Sequence, residues 1–411
     1  MLFTVKIELL LSVIVSTIFT ISCECRQSYM TICDNFDDLK NYVDKESLSE
    51  VIIGSEQGNM TSVHLMKALQ IQSYNKLSIL IIIRAINQIE MSYAFECSYN
   101  RSPLKYFGMY GNELKTIEEY HFPVFPMVKF SLVNNKIEAI KGGSFTHHKV
   151  ENIDLSDNAM EVIESEALPM TSVTKIVTIK NNKLTHIEPG SFPASLQSLN
   201  LDRNKLRYLQ KEILEGLVNL QELTLSHNKF NEIPNISHLK DLVVFDISSN
   251  AISSIKSGTF ASMAKLQALD LSNNKIYDSS ILSKLHVPEK QPTLEISLAL
   301  NHLRNLNLKN VPLEKKTIIL HGNPWDCDTW FDLKKQLKGY ENKCDSDLLS
   351  TGNTPYCINY HSEFYIFSSS MWKMDVDIFH DSVRKTAAKS KCSLAPRKYY
   401  WLYPTGFGCV T

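Results

Sequence analysis

Apolar and polar positions through the middle of this chain follow one phrase, written ten times. Each copy is anchored by an asparagine with apolar residues five and three places before it and two after. Most copies carry another apolar residue eight places before. The anchors are Asn112, Asn135, Asn158, Asn182, Asn204, Asn228, Asn250, Asn274, Asn301 and Asn323, spaced 22 to 27 residues apart. Pairs such as Leu223 and Leu225, or Leu269 and Leu271, have the two-residue period of a strand, so their side chains point to one face. The asparagine amide, with donors and an acceptor, predicts bonding to backbone groups left unpaired where the strand bends. No single turn buries its apolar face alone, so the turns must stack and the ends must be capped.

A period of this length in the form LxxLxLxxNxL resembles the leucine-rich repeat of extracellular proteins. The resemblance implies an α/β solenoid: a curved parallel sheet on the concave face, with cysteine-containing N- and C-terminal caps. We expect a signal peptide over 1–22, an N-terminal cap with degenerate repeats over 23–103 and regular repeats over 104–324. A C-terminal cap and aromatic-rich tail follow over 325–411. Within the N-terminal cap, residues 51–53 and 63–65 read as irregular strands and 79–83 as a short buried run. Phe145, Phe192 and Phe260 each fall ten residues after an anchor, where the family carries a phenylalanine that packs the outer segment. The step from Asn274 to Asn301 is longer because of an insertion near His286 to Pro292, and such insertions map to loops.

The first residues combine Lys6, an apolar stretch from Leu9 to Ile21 and small residues at Thr20 and Ser22, the pattern of a secretory leader. Cleavage is expected between Ser22 and Cys23 or after Cys25. No later segment is long and apolar enough to span a membrane, so the expected location is extracellular. Sequons at Asn59, Asn100 and Asn235 then become glycosylation candidates. A net charge of -1 gives no overall basic field for nucleic acid.

Secreted cysteines are expected to pair. Cys33 and Cys97 are the local N-terminal pair if cleavage removes Cys23 and Cys25. Residues 322–327 resemble the opening of the family's C-terminal capping module, whose following segment (330–337) reads as an amphipathic helix. That resemblance implies a Cys327–Cys344 pair, because Thr329 stands where the module has a second cysteine. Cys357, Cys392 and Cys409 remain, so one is left for a disulfide-linked homo- or heterodimer.

Residues four before each anchor alternate with core positions and face the concave side. They run Gly108, Ser131, Asp154, Thr178, Asn200, Thr224, Asp246, Asp270, Ser297 and Ile319. From this face we take Tyr106, Tyr110, Asp154, Asn200, Asp202, Glu222, Asp246, Asp270 and Glu295 as partner-binding candidates. Consensus turns also favour Asp and Ser here for local hydrogen bonds, and sequence leaves both readings open.

Catalysis finds little support. No GxSxG elbow, phosphate loop or HExxH pair is present, and His147-His148 reads as an exposed pair in an outer loop. No cofactor, metal or enzymatic activity is expected. Secreted repeats, an odd cysteine and an enlarged C-terminal cap together resemble the short type of mosquito leucine-rich immune proteins. That resemblance implies a recognition or scaffold protein of innate immunity with protein partners. The alternatives are an extracellular matrix or developmental adhesion protein and a secreted enzyme inhibitor.

Overall fold

The structure is a computed structural model. It describes residues 104–309 apart from 119–121, 123–125, 146–147, 169–172 and 286–293. It also describes 311, 316–320, 322–326, 329, 332–333 and stretches at 26–27, 31–33, 50–54, 60–61, 78–83 and 86–88. The chain forms two compact units, Met1–Ser195 and Leu196–Thr411.

In the first unit, where alternating apolar pairs build the strands of the regular repeats, eight strands join in one sheet. They are β1 (Arg26–Gln27), β2 (Thr31–Cys33), β3 (Glu50–Gly54), β4 (Ile79–Ile83), β5 (Tyr106–Tyr110), β6 (Pro126–Ser131), β7 (Lys149–Asp154) and β8 (Ile176–Thr178). Neighbours in space are neighbours in sequence, antiparallel for β1–β2 and parallel thereafter. The second unit repeats the arrangement with β9 (Ser198–Asn200), β10 (Glu222–Thr224), β11 (Val244–Asp246), β12 (Ala268–Asp270), β13 (Leu294–Ser297) and β14 (Lys316–Ile319), all parallel.

Register lines up the apolar positions into continuous rows. Leu80, Phe107, Phe130, Ile153 and Val177 form one. Leu199, Leu223, Phe245, Leu269, Ile296 and Ile318 form the other. All are buried, so parallel strands bury side chains that no single turn could cover. The chain returns behind the sheet through short parallel pairs in the first unit, such as Thr116–Ile117 with Ala139–Ile140. In the second unit it returns through α1 (Lys211–Glu215) and α2 (Ile281–Lys284).

The anchoring asparagines stitch successive turns, as their chemistry predicts. Asn228 Nδ2 donates to Leu201 O of the preceding turn at 2.9 Å and to Leu225 O and Ser226 O of its own, while its Oδ1 accepts Leu206 N–H at 3.0 Å. Asn158, Asn182, Asn250, Asn274, Asn301 and Asn323 likewise donate to a carbonyl 25 to 30 residues back and accept an amide 20 to 25 residues back. The residue before each anchor sits in the left-handed region at all ten turns. Gly111, Asn134, Asp157, Asn181, Arg203, His227, Ser249, Asn273, Leu300 and Gly322 have φ between 51° and 66°. That conformation turns the chain sharply enough for the amide to reach back. Only Gly111 and Gly322 take it without steric cost.

Phe145, Phe192 and Phe260 are buried in the outer segments, as expected. In the first unit, Phe107, Phe122, Phe130 and Phe145 form a cluster with ring centroids 5.0–6.3 Å apart. His148 corrects the sequence reading. It is 2% exposed, with its ring edge-on to Phe145 at 5.3 Å and its amide bonded to Phe145 O. An imidazole is apolar enough across its faces to serve as core where an aromatic neighbour receives it. The run at 79–83 does more than fill a cap: as β4 it pairs along its full length with β3 and β5. Residues 51–53 lie in β3, whereas 63–65, the insertion near 286–292 and His147 lie outside the described residues. Thr329, Asp332 and Leu333 are helical and Leu333 is buried, on the segment expected to form the cap helix.

Candidate functional site

From Tyr106–Tyr110 onward, the strands turn a second set of side chains away from the core, and these form a candidate binding face in each unit. In the first unit the register row Ile81, Gly108, Ser131, Asp154 and Thr178 runs across this face. Tyr106 and Tyr110 flank Gly108, and their hydroxyls meet. A Cβ at Gly108 would lie 2.5 Å from Tyr110 Cε2 and 3.1 Å from Tyr106 Cε1, so only glycine lets the two rings close. Lys129 Nζ stands 5.7 Å from the Tyr106 ring centroid, within cation–π range. Burial pushes the Tyr110 phenol above its ordinary range. Asn152 and Asp154 are half-buried beside this clasp.

The acidic row has a backbone task in both units. Asp154 Oδ1 accepts Ser156 N–H at 3.1 Å and Ser156 Oγ–H at 2.6 Å. In the second unit Asn200, Asp246 and Asp270 each accept the amide two residues on, at 2.8–2.9 Å. A short side-chain acceptor at this position satisfies the first amide beyond the strand, which explains why Asp and Asn recur there.

Asp246 and Asp270 are register partners on adjacent strands, 7% and 3% exposed. Burial raises the Asp246 carboxyl to about 6, with the nearby Asp202 charge adding to it. Burial, and then the charge of Asp246, raises Asp270 well above the carboxylate range. Asp202 is held by Ser226 Oγ–H at 2.8 Å and His227 Nδ1 at 2.9 Å, with Arg203 Nε 3.6 Å away. Glu222 receives Ser198 Oγ–H at 3.0 Å and is raised by burial; Glu295 is half-buried.

The structure therefore gathers Tyr106, Tyr110 and Asp154 on the face of the first unit. It gathers Asn200, Asp202, Glu222, Asp246, Asp270 and Glu295 on that of the second. Tyr110, Asp154, Glu222 and Glu295 remain part-exposed, whereas Tyr106, Asn200, Asp202, Asp246 and Asp270 are buried. Sequence reading did not pick out Ser226 and His227 as the partners of Asp202. Their only signal was sequence position, two and one before Asn228, where side chains crowd the exit of the strand. Asn235 is exposed, and its Oδ1 accepts Ser237 Oγ–H at 2.9 Å. Asn59, Asn100 and the side chains of Cys33, Cys97, Cys327, Cys344, Cys357, Cys392 and Cys409 lie outside the described residues, as does the leader over 1–22. Among the described residues, no helix is long and apolar enough to cross a membrane.

Comparison with known proteins agrees with the repeat. A Leucine rich repeat family profile matches residues 172–230 and 235–276, and a BspA type Leucine rich repeat region of six copies matches 73–195. No curated protein sequence matches the chain. Among solved structures, the chain is similar to one from an octameric complex of Latrophilin 3, Unc5D and FLRT2. Identity is 18% and the TM-score 0.45, over 62% of this chain and 87% of that one. A leucine-rich repeat protein of Leptospira interrogans is 20% identical with a TM-score of 0.40, covering 75% of this chain and 93% of that chain. The functional domain of InlJ from Listeria monocytogenes is 16% identical with a TM-score of 0.41, over 61% and 59%. Strand register, asparagine stitching and both profile matches make this a leucine-rich repeat protein, with the parallel-sheet solenoid fold and the interaction-scaffold character typical of such repeats.

Proposed function

We propose that this chain is a secreted recognition or scaffold protein of innate immune defence that binds a protein partner through the sheet faces. The observation that carries the binding reading is the display of part-exposed polar side chains at repeating strand positions. Asn152 and Asp154 supply it in the first unit, and Ser198, Glu222 and Glu295 in the second. Rigid parallel strands hold such groups at fixed spacing, which lowers the entropy lost on binding a folded partner. Secretion and the immune role rest on the leader pattern and on the resemblance drawn from sequence. On this reading the odd cysteine links the chain covalently to a second copy or a partner, and Asn235 carries glycan.

The test is co-purification of the tagged chain from body fluid without reductant, with and without microbial challenge. Partners of the immune response, recovered in greater amount after challenge, support the proposal. Recovery of matrix components in a fixed tissue pattern would replace it with adhesion.

A further inference from the structure

The turns of the second unit share a rim that the binding-face argument does not use. It is formed by residues one to three places after the first five of its anchoring asparagines, Asn204 to Asn301. Backbone bonds stack this segment from turn to turn: Lys229 N to Leu206 O, Ala251 N to Phe230 O, Lys275 N to Ile252 O and His302 N to Ile276 O, at 2.7–2.8 Å. Equivalent side chains on consecutive turns are thus about 5 Å apart, and the five turns span roughly 20 Å.

These five turns read Lys-Leu-Arg, Lys-Phe-Asn, Ala-Ile-Ser, Lys-Ile-Tyr and His-Leu-Arg, with no acidic residue, and the row ends at Asp326 after Asn323. Lys205, Arg207, Lys229 and Lys275 are exposed and take part in no ion pair among the described residues. The acids just beyond the rim are already neutralised: Glu232 by Lys256 and Asp278 by Lys284. Two strongly exposed aromatics, Tyr208 at 57% and Tyr277 at 65%, stand on or beside the same rim.

The first unit provides an internal comparison. Its equivalent positions carry Glu113, Glu138 and Glu161 against Lys115, Lys136 and Lys183, and Lys136 is paired with Glu113. If the repeat itself demanded lysines here, both units would be free of acids at these positions. As a set, only these five turns are, four of them carrying a basic or imidazole side chain, in a chain whose net charge is -1.

We propose that the rim of the second unit binds a linear sulfated polysaccharide. Cations repeating along a straight edge match an anionic chain that presents sulfates at short intervals, and exposed tyrosines offer flat surfaces for sugar rings. The choice of a sugar polymer over a nucleic acid rests on the extracellular reading above.

The experiment uses the full-length protein and a fluorescent heparin oligosaccharide long enough to span the five turns. Unsulfated backbone of equal length and single-stranded DNA serve as competitors. Binding should be measurable at about 0.15 M salt. The triple variant Lys205→Glu, Lys229→Glu and Lys275→Glu should weaken it about tenfold or more, and the dependence of log K on log salt should fall by roughly three. Lys136→Glu with Lys183→Glu in the first unit should leave it unchanged. Loss confined to the second-unit variant, with no competition by unsulfated chain, supports the proposal. No binding by wild type, equal loss in both variants, or stronger competition by DNA overturns it. Detection of the chain in culture medium separates the two readings. A protein that is released yet ignores heparin defeats only this inference. One retained in cells defeats the extracellular reading, whatever the binding result.

Discussion

Replacing Asn228 by alanine should destabilise the second unit by roughly 1–3 kcal/mol. The side chain is 9% exposed and makes two bonds to the preceding turn, to Leu201 O at 2.9 Å and from Leu206 N at 3.0 Å. Alanine strands Leu206 N–H, a buried orphan that costs about 1–3 kcal/mol, less where water enters the space left by the amide, while Leu201 O keeps its bond from Asn204 Nδ2 at 3.1 Å. The bonds to Leu225 O and Ser226 O of the same turn add less, because they tighten a bend that the backbone already makes. Aspartate sharpens the test. It keeps an acceptor for Leu206 N–H but turns a carboxylate oxygen toward three carbonyl oxygens whose partial negative charge repels it, so Asn228→Asp should be less stable than Asn228→Ala. Neighbouring turns carry part of the cooperativity, so a single melting temperature understates a local effect. Hydrogen exchange of the Leu206 amide should therefore accompany thermal melts, with exposed Asn231→Ala as the control. Melts and exchange matching that control, or aspartate tolerated as well as asparagine, would refute the stitching argument.

Arg203 holds φ 55°, so Arg203→Val should cost roughly 1–2 kcal/mol relative to Arg203→Gly; equal melting temperatures would show the left-handed bend to be unstrained. Asp246, raised from 3.8 to about 6, binds its proton more tightly folded than unfolded. Its burial penalty is absent below about pH 4, grows as pH rises toward 6 and persists above, at most about 3 kcal/mol. Asp246→Asn and Asp270→Asn should therefore raise stability at pH 7.5 and flatten its fall between pH 4 and 6, as read by urea melts at several pH values. Unchanged pH dependence would mean both carboxyls stay solvated. Non-reducing electrophoresis should show a covalent dimer that collapses with reductant, whereas a clean monomer with one alkylatable thiol would end the odd-cysteine argument.

The fold was legible because each turn restates the same constraint. Apolar residues at a two-residue spacing, followed by an asparagine, define the core row, the bend and the stitch in every copy. Ile79–Ile83 was harder to place because it lacks a following anchor, so its pairing with Tyr106–Tyr110 is visible only once β5 exists as a partner. His148 was misread as exposed because its burial comes from Phe145, and a polar label says little about an imidazole facing an aromatic cluster. The left-handed residue before each anchor escaped notice for a related reason. Glycine, the residue that would have marked it, stands there only as Gly111 and Gly322, and eight non-glycine residues carry the same dihedral at a cost the stitched bend absorbs.

The binding face was legible as a place but not as a set of contacts, and the repeat itself explains why. Asp154, Asn200, Asp246 and Asp270 were singled out for their polarity, yet all four cap the amide two residues on. A residue that recurs at one position to cap the backbone carries little information about what the surface recognises. Information lies where equivalent positions differ between turns that fold alike. By that criterion the Tyr106–Gly108–Tyr110 clasp is informative, since no other turn places two aromatics around a glycine. The acid-free rim from Lys205 to Arg304 is informative too, because the corresponding positions before Ser195 mix both signs of charge. A solenoid thus supplies its own control: subtracting what each turn must have for stacking leaves the positions selected for something else.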